Sequence, residues 1–97
     1  MFEIVLTPEA IDDMRSFRKF ERQHIFEEIE EQLQHQPAME TRNRKRLNPN
    51  DLAEWELRVG KFRVFYDVDE TELRVKIEAV GDKRGSVLIV HGEEYEL

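Results

Sequence analysis

Glu54-Trp55-Glu56-Leu57-Arg58-Val59-Gly60-Lys61-Phe62-Arg63-Val64-Phe65-Tyr66-Asp67-Val68 is the stretch that decides the fold. Trp55, Leu57 and Val59 alternate with Glu54, Glu56 and Arg58; beyond Gly60-Lys61, Phe62, Val64, Tyr66 and Val68 alternate with Arg63, Phe65 and Asp67. A third segment sets Leu73, Val75, Ile77 and Ala79 against Arg74, Lys76 and Glu78. A period of two marks strands buried on one face, and short connections between them make an antiparallel meander. Gly60-Lys61 suits a two-residue hairpin turn, which places Val59 opposite Phe62 and Arg58 opposite Arg63. With Glu70-Thr71 as the next turn, Val68 meets Leu73, Asp67 meets Arg74 and Arg63 meets Glu78. This register keeps the apolar residues on one face, with Phe65 left on the polar one.

Working outward, Phe2 to Leu6 reads as a first strand. Thr7 can cap a helix that opens on Pro8 and Glu9, with Ala10, Ile11, Met14 and Phe17 as its apolar face and Arg18 and Lys19 closing it. A second helix, from about Glu21 to His35, carries Ile25, Phe26, Ile29 and Leu33 at helical spacing and ends before Pro37. The short break between them predicts a helical hairpin. Residues 38–52 show no period, and Asn48-Pro49-Asn50-Asp51 signals a turn. Gly81 to Gly85 reads as a turn, Ser86 to His91 as a fifth strand, and Glu93 to Leu97 as an acidic tail beyond Gly92. The fold class is α+β: an N-terminal strand, then a two-helix hairpin packed on a four- to five-stranded antiparallel sheet. Trp55, Leu57, Phe62, Val64, Tyr66, Val75 and Ile77 are the expected core beneath the Ile11/Met14/Phe17 and Ile25/Ile29/Leu33 stripes.

The 97 residues suit one domain, 1–97, with one modest core. The absence of cysteine excludes disulfides, thiolate metal sites and cysteine nucleophiles and suits a reducing cytoplasm. His24 and His35 stand eleven residues apart without a ligand pattern, so neither metal nor cofactor is expected. No run is long enough to cross a membrane, and the start of the chain lacks a basic-then-apolar signal pattern. The formal net charge is −7, so binding to a polyanion needs a local basic patch. Such a patch exists: Arg42, Arg44, Lys45 and Arg46 cluster just before the meander, away from the acidic runs Glu27/Glu28/Glu30/Glu31 and Glu93/Glu94/Glu96.

The element order, with Trp55-Glu56-Leu57-Arg58-Val59 and then Phe62-Arg63-Val64-Phe65-Tyr66-Asp67-Val68, resembles the RelE/ParE superfamily of bacterial type II toxins. The aromatic-Arg-aliphatic-aromatic-Tyr run is that superfamily's most recurrent signature. Ala79-Val80-Gly81-Asp82-Lys83-Arg84 is similar to its Val-Gly-basic turn, and Leu47 fits the leucine that follows a basic loop. The resemblance implies a cognate antitoxin as partner. It also implies one of two activities: metal-independent cleavage of mRNA on the ribosome, or binding to DNA gyrase without chemistry. A detoxified member that only binds its antitoxin is the third alternative. For the nuclease, the resemblance puts Arg63 on the scissile phosphate and Lys83 where RelE carries a second arginine. Glu56 stands as a base and His91 as an acid. Arg42, Arg44, Lys45, Arg46, Arg58, Lys61 and Arg84 supply nucleic-acid contacts. Glu54 and Glu56 reverse two lysines of RelE, and Ile89 replaces a tyrosine. Arg63 opposite Glu78 also allows a plain cross-strand ion pair.

Overall fold

The computed structural model describes all residues, Met1–Leu97. The elements are β1 (Glu3–Leu6), α1 (Pro8–Arg15), α2 (Lys19–Leu33), β2 (Arg44–Arg46), β3 (Trp55–Val59), β4 (Phe62–Asp69), β5 (Arg74–Arg84), β6 (Val87–Val90) and β7 (Glu93–Tyr95). One sheet runs β2-β3-β4-β5-β6-β7, and β1 joins it parallel to β5. The two helices cover one face, as the alternation in β3 and β4 requires.

The β3–β4 hairpin has the expected register, Val59 opposite Phe62 and Arg58 opposite Arg63. Its apolar side, Trp55, Leu57, Val59, Phe62, Val64 and Tyr66, joins Val75, Ile77 and Val80 beneath Ala10, Met14, Ile25, Ile29 and Leu33 in one buried cluster. Thr7 caps α1, its hydroxyl accepting the Ala10 N–H at 3.1 Å. α1 stops at Arg15 rather than running on to Lys19, because Arg18 begins α2: its amide donates to the Glu21 carboxylate at 3.0 Å. Ile11 and Phe26 lie outside the core at 41% and 39% exposure, and Asp13 takes a buried place on α1 instead. α2 ends at Leu33, short of His35. Pro37 lies beyond it, buried, with its carbonyl accepting the Tyr66 hydroxyl at 2.8 Å.

Three readings of the later strands are corrected. First, the β4–β5 register is Val68 opposite Val75, Asp67 opposite Lys76 and Arg63 opposite Gly81, so Arg63 does not meet Glu78. The turn is longer than Glu70-Thr71, with Asp69 Oδ1 accepting the Thr71 and Glu72 amides. Glu78 is a bulge: Tyr66 pairs with Ile77 and Phe65 with Ala79, leaving Glu78 extra. The bulge moves Val80 onto the helix face and Ala79 onto the other. Second, Phe65 is fully buried on the supposedly polar face, in a small second cluster with Ala79, Leu88 and Val90. The 47–53 loop roofs this cluster with Leu47, Leu52 and Ala53, and β7 adds Tyr95. Asn50 holds the loop, its side-chain oxygen accepting the Leu52 and Ala53 amides at 2.7 and 3.1 Å. Third, Gly81 is no turn. It lies inside β5 because a Cβ there would sit 2.4 Å from the Ile89 carbonyl oxygen, so glycine lets β6 pair closely. The real turn is Gly85-Ser86, between Arg84 and Val87, and the acidic tail pairs with β6 as β7.

β5 shares its outer edge between two partners. β1 pairs with Arg74–Ile77 and β6 with Asp82–Arg84. The gap between them is closed by side chains: Thr7 Oγ1 donates to the Glu78 carbonyl at 3.2 Å, and Asp13 Oδ2 accepts the Val80 N–H at 2.9 Å.

Candidate nucleic-acid interface

The part of the open face that the 47–53 loop leaves uncovered is a cleft of about 670 Å³. Alternation in each strand sends a cation into it: Lys45 from β2, Arg58 from β3, Arg63 from β4 and Lys83 from β5, with Arg42 and Arg46 at the rim. Glu56 and Glu96 are its carboxylates. The lining therefore holds six cations against two anions, on a chain whose net charge is −7. Of the six only Arg46 is ion-paired, to Glu54 at 3.3 Å, and it also lies 5.7 Å over the Trp55 ring. The other five have no carboxylate within 4 Å.

Arg63 is the fixed point of the cleft. Its Nη1 donates to the Gly60 and Phe62 carbonyls at 2.7 and 2.9 Å, which ties the guanidinium to the hairpin turn and leaves the rest of its fork for a ligand. Partial burial pulls its pKa below the ordinary value; Glu56 counters this and the neighbouring Arg58 adds to it. Two arginines directly opposite on adjacent strands repel each other, and a bound anion would relieve that repulsion.

Four sequence candidates lie elsewhere. Arg44 points to the helix face, as its one-residue offset from Lys45 demands; its guanidinium donates to the Gln32 carbonyl in the last turn of α2, where a cation suits the helix dipole. Lys61 pairs with Glu21 at 3.5 Å and lies 5.2 Å over the Phe62 ring. Arg84 pairs with Asp82 at 2.9 Å. His91 Nδ1 lies 2.8 Å from Asp13 Oδ1, so it holds the carboxylate that closes the β5 gap. These last three line a separate cleft of about 770 Å³ between α1 and β5, where Glu9, Asp12, Asp13, Glu21 and Asp82 make the walls acidic. Ile89 also lines that cleft, whereas Tyr95 lines the cationic one and is the only aromatic there. Tyr95 carries no local signal of this place, because it sits in what reads as a charged tail.

No three side chains come together as a metal-binding group. No helix is long and apolar enough to cross a membrane.

Comparison with known proteins agrees with the architecture. A family model described as the ParE toxin of the type II toxin-antitoxin system parDE matches residues 4–86. The chain belongs to the ParE toxin family. Among solved structures, this ParE-family chain is similar to one in the toxin-antitoxin complex RelBE2 from Mycobacterium tuberculosis, with a TM-score of 0.74 and 21% identity. That match covers 84% of this chain and 91% of the other. A chain of the intact E. coli RelBE toxin-antitoxin complex matches at a TM-score of 0.60 and 16% identity, over 88% and 100% of the two chains. At these identities the structures establish the shared fold. No curated protein sequence matches this ParE-family chain.

Proposed function

We propose that the chain is the toxin of a type II pair and that its cationic cleft grips the backbone of mRNA on the ribosome and cleaves it without a metal. The observation that carries this reading is the set of five unpaired cations converging on one cleft of an acidic protein. Unpaired charge that is costly to gather suits a polyanion, and side chains from four adjacent strands present it along an extended path. In the proposed reaction Glu56 takes the proton of a ribose 2′-hydroxyl, and the freed oxygen attacks the adjacent phosphorus. Arg63 and Arg58 stabilise the charge on the phosphorane. The bond to the 5′ oxygen then breaks, and that oxygen takes a proton from Lys83 or Tyr95, two proton-bearing side chains of the cleft. The products are a 2′,3′-cyclic phosphate and a 5′-hydroxyl. Tyr95 also offers a ring on which an unpaired base can stack. His91 has no part in this scheme, since Asp13 holds it on the far side of the sheet. The partners are a cognate antitoxin, as in the RelBE complexes, and the ribosome with its mRNA; the site of action is the cytoplasm.

A second reading is favoured by the ParE family match and by Glu56, which puts a carboxylate beside the substrate phosphates. On that reading the chain arrests growth by binding DNA gyrase and performs no chemistry. Induction in cells separates the two. If the nuclease reading holds, wild-type chain stops translation before DNA supercoiling changes, and Arg63→Ala relieves the arrest while the protein still folds and binds antitoxin. Arrest with supercoiling lost first refutes it.

A further inference from the structure

Three polar residues of α2, His24, Glu28 and Gln32, recur at every fourth position and so share one face of the helix. That face walls a groove of about 440 Å³, whose lining also includes Arg42 and Asn43, just before β2, and Arg58 of β3. Arg42, Asn43 and Arg58 line the cationic cleft as well, so the groove continues that cleft around the end of β2 toward the helices. The rim between the two is held firmly. Thr41 Oγ1 accepts the Asn43 and Arg44 amides at 3.3 and 3.1 Å, and the Asn43 carbonyl accepts the Arg58 N–H at 2.8 Å. The Arg44 guanidinium fastens the same turn to the Gln32 carbonyl. With both backbone groups of Asn43 engaged, its carboxamide is what it offers to the groove.

The charges of the groove are unpaired. Arg42 and Arg58 have no carboxylate within 4 Å, and Glu28 makes no ion pair, although all three line this one space. Glu28 Oε2 accepts the Gln32 side-chain amide at 2.8 Å, which orients the carboxylate and leaves lone pairs on both oxygens. Arginines and a carboxylate held apart in one groove suit a ligand that carries an anion and N–H donors together. A nucleotide does: its phosphate meets the arginines, and its base edge meets Glu28. We propose that this groove is a base-selective subsite for a nucleotide that flanks the cleaved link, resting on the RNA reading above, and that the base it selects is guanine. A carboxylate can only accept. Guanine alone sets two N–H donors side by side on its pairing edge, N1–H and the N2 amino group, to match both oxygens. Adenine and cytosine each set one donor beside an accepting ring nitrogen, and uracil sets one donor between two carbonyl oxygens. The Asn43 amide supplies a donor for guanine O6, and the His24 ring a face for stacking.

The test is fluorescence anisotropy of the full chain with a short labelled all-uridine oligoribonucleotide in which one guanosine is stepped through every position, at fixed salt. At one position guanosine should raise the affinity by about tenfold over uridine. Inosine at that position keeps N1–H and lacks the amino group, so it should lose most of the gain without any change to the protein. Glu28→Gln, which keeps the shape and turns one acceptor into a donor, should bring the guanosine-to-uridine ratio close to one. Arg63→Ala, outside the groove, should weaken both strands and keep the ratio. Binding of the all-uridine strand with no preferred guanosine position overturns the subsite and leaves the RNA reading standing. So does a preference that survives Glu28→Gln, or one that inosine reproduces in full. A wild-type chain that binds neither strand refutes the RNA reading and the subsite with it.

Discussion

Salt tests whether the cleft acts through phosphate charge. Five cations line it without a carboxylate partner, and each that meets a phosphate of a single strand releases about 0.7 of a counterion. With all five engaged, log affinity should fall against log salt with a slope of about −3.5, a loss of roughly 100-fold between 50 and 200 mM salt. Replacing Lys45, Arg58 and Lys83 by alanine leaves two, so the slope should shrink to about −1.4 and the loss to roughly sevenfold. All three side chains are solvent-exposed, which spares the fold. The assay is fluorescence anisotropy of a labelled single-stranded oligoribonucleotide across a salt series, with circular dichroism as the control for folding. A companion variant, Arg15→Ala with Lys19→Ala, removes two exposed cations outside the cleft and should leave the slope where it was. A triple variant that keeps the wild-type slope, or a companion that lowers it as much per charge, refutes the assignment.

Gly81→Ala should destabilise the fold by about 2 kcal/mol in urea unfolding, because the new Cβ meets backbone rather than a movable side chain; a loss below about 0.5 kcal/mol would contradict the close-approach argument. Asp13→Ala strands the Val80 amide and releases His91, at a cost of about 1–3 kcal/mol, yet should leave oligonucleotide affinity unchanged; a loss of affinity at unchanged stability would return His91 to the site. Burial, with the Asp67 carboxyl adding to it, pushes Glu78 up to about 7 from an ordinary 4.5. The folded state then holds an extra proton between those values, so this contribution to stability is intact below pH 4.5 and is lost as pH rises through 7. Glu78→Gln should therefore gain on the order of 1 kcal/mol over wild type at pH 8, after allowance for solvent screening, and nothing at pH 4; a gain that is equal at both values would exclude a titrating Glu78.

The β3–β4 hairpin was legible because turn and alternation agree: Gly60-Lys61 fixes the register, and every residue from Trp55 to Val64 then falls on its proper face. Legibility ends where a local rule is overridden from a distance. Nothing near Glu78 announces a bulge; it occurs where β1 leaves the edge of β5 and Thr7 and Asp13 take over its backbone groups. Phe65 reads as a misplaced apolar residue until the 47–53 loop, which has no period of its own, is seen to cover it. Gly81 imitates a turn because glycine serves both for turns and for close approach of strands. The same split runs through the site. Arg58, Arg63 and Lys45 share a cleft because alternation alone puts them on one face. Arg44 is separated from Lys45 by that same rule, which the sequence does not announce because residues 38–52 show no period of their own. Lys61, Arg84 and His91 are withdrawn by partners distant in sequence or on the other face, namely Glu21, Asp82 and Asp13. Tyr95 enters the cleft only because β7 pairs with β6.

The most direct measurement incubates purified chain with ribosomes programmed by a defined mRNA, in chelator, and maps the RNA ends together with gyrase supercoiling in a parallel reaction. The account predicts cuts in ribosome-bound mRNA that end in a 2′,3′-cyclic phosphate, their loss in Arg63→Ala, and untouched gyrase activity. Intact mRNA with wild-type chain, alongside inhibited supercoiling, would contradict it.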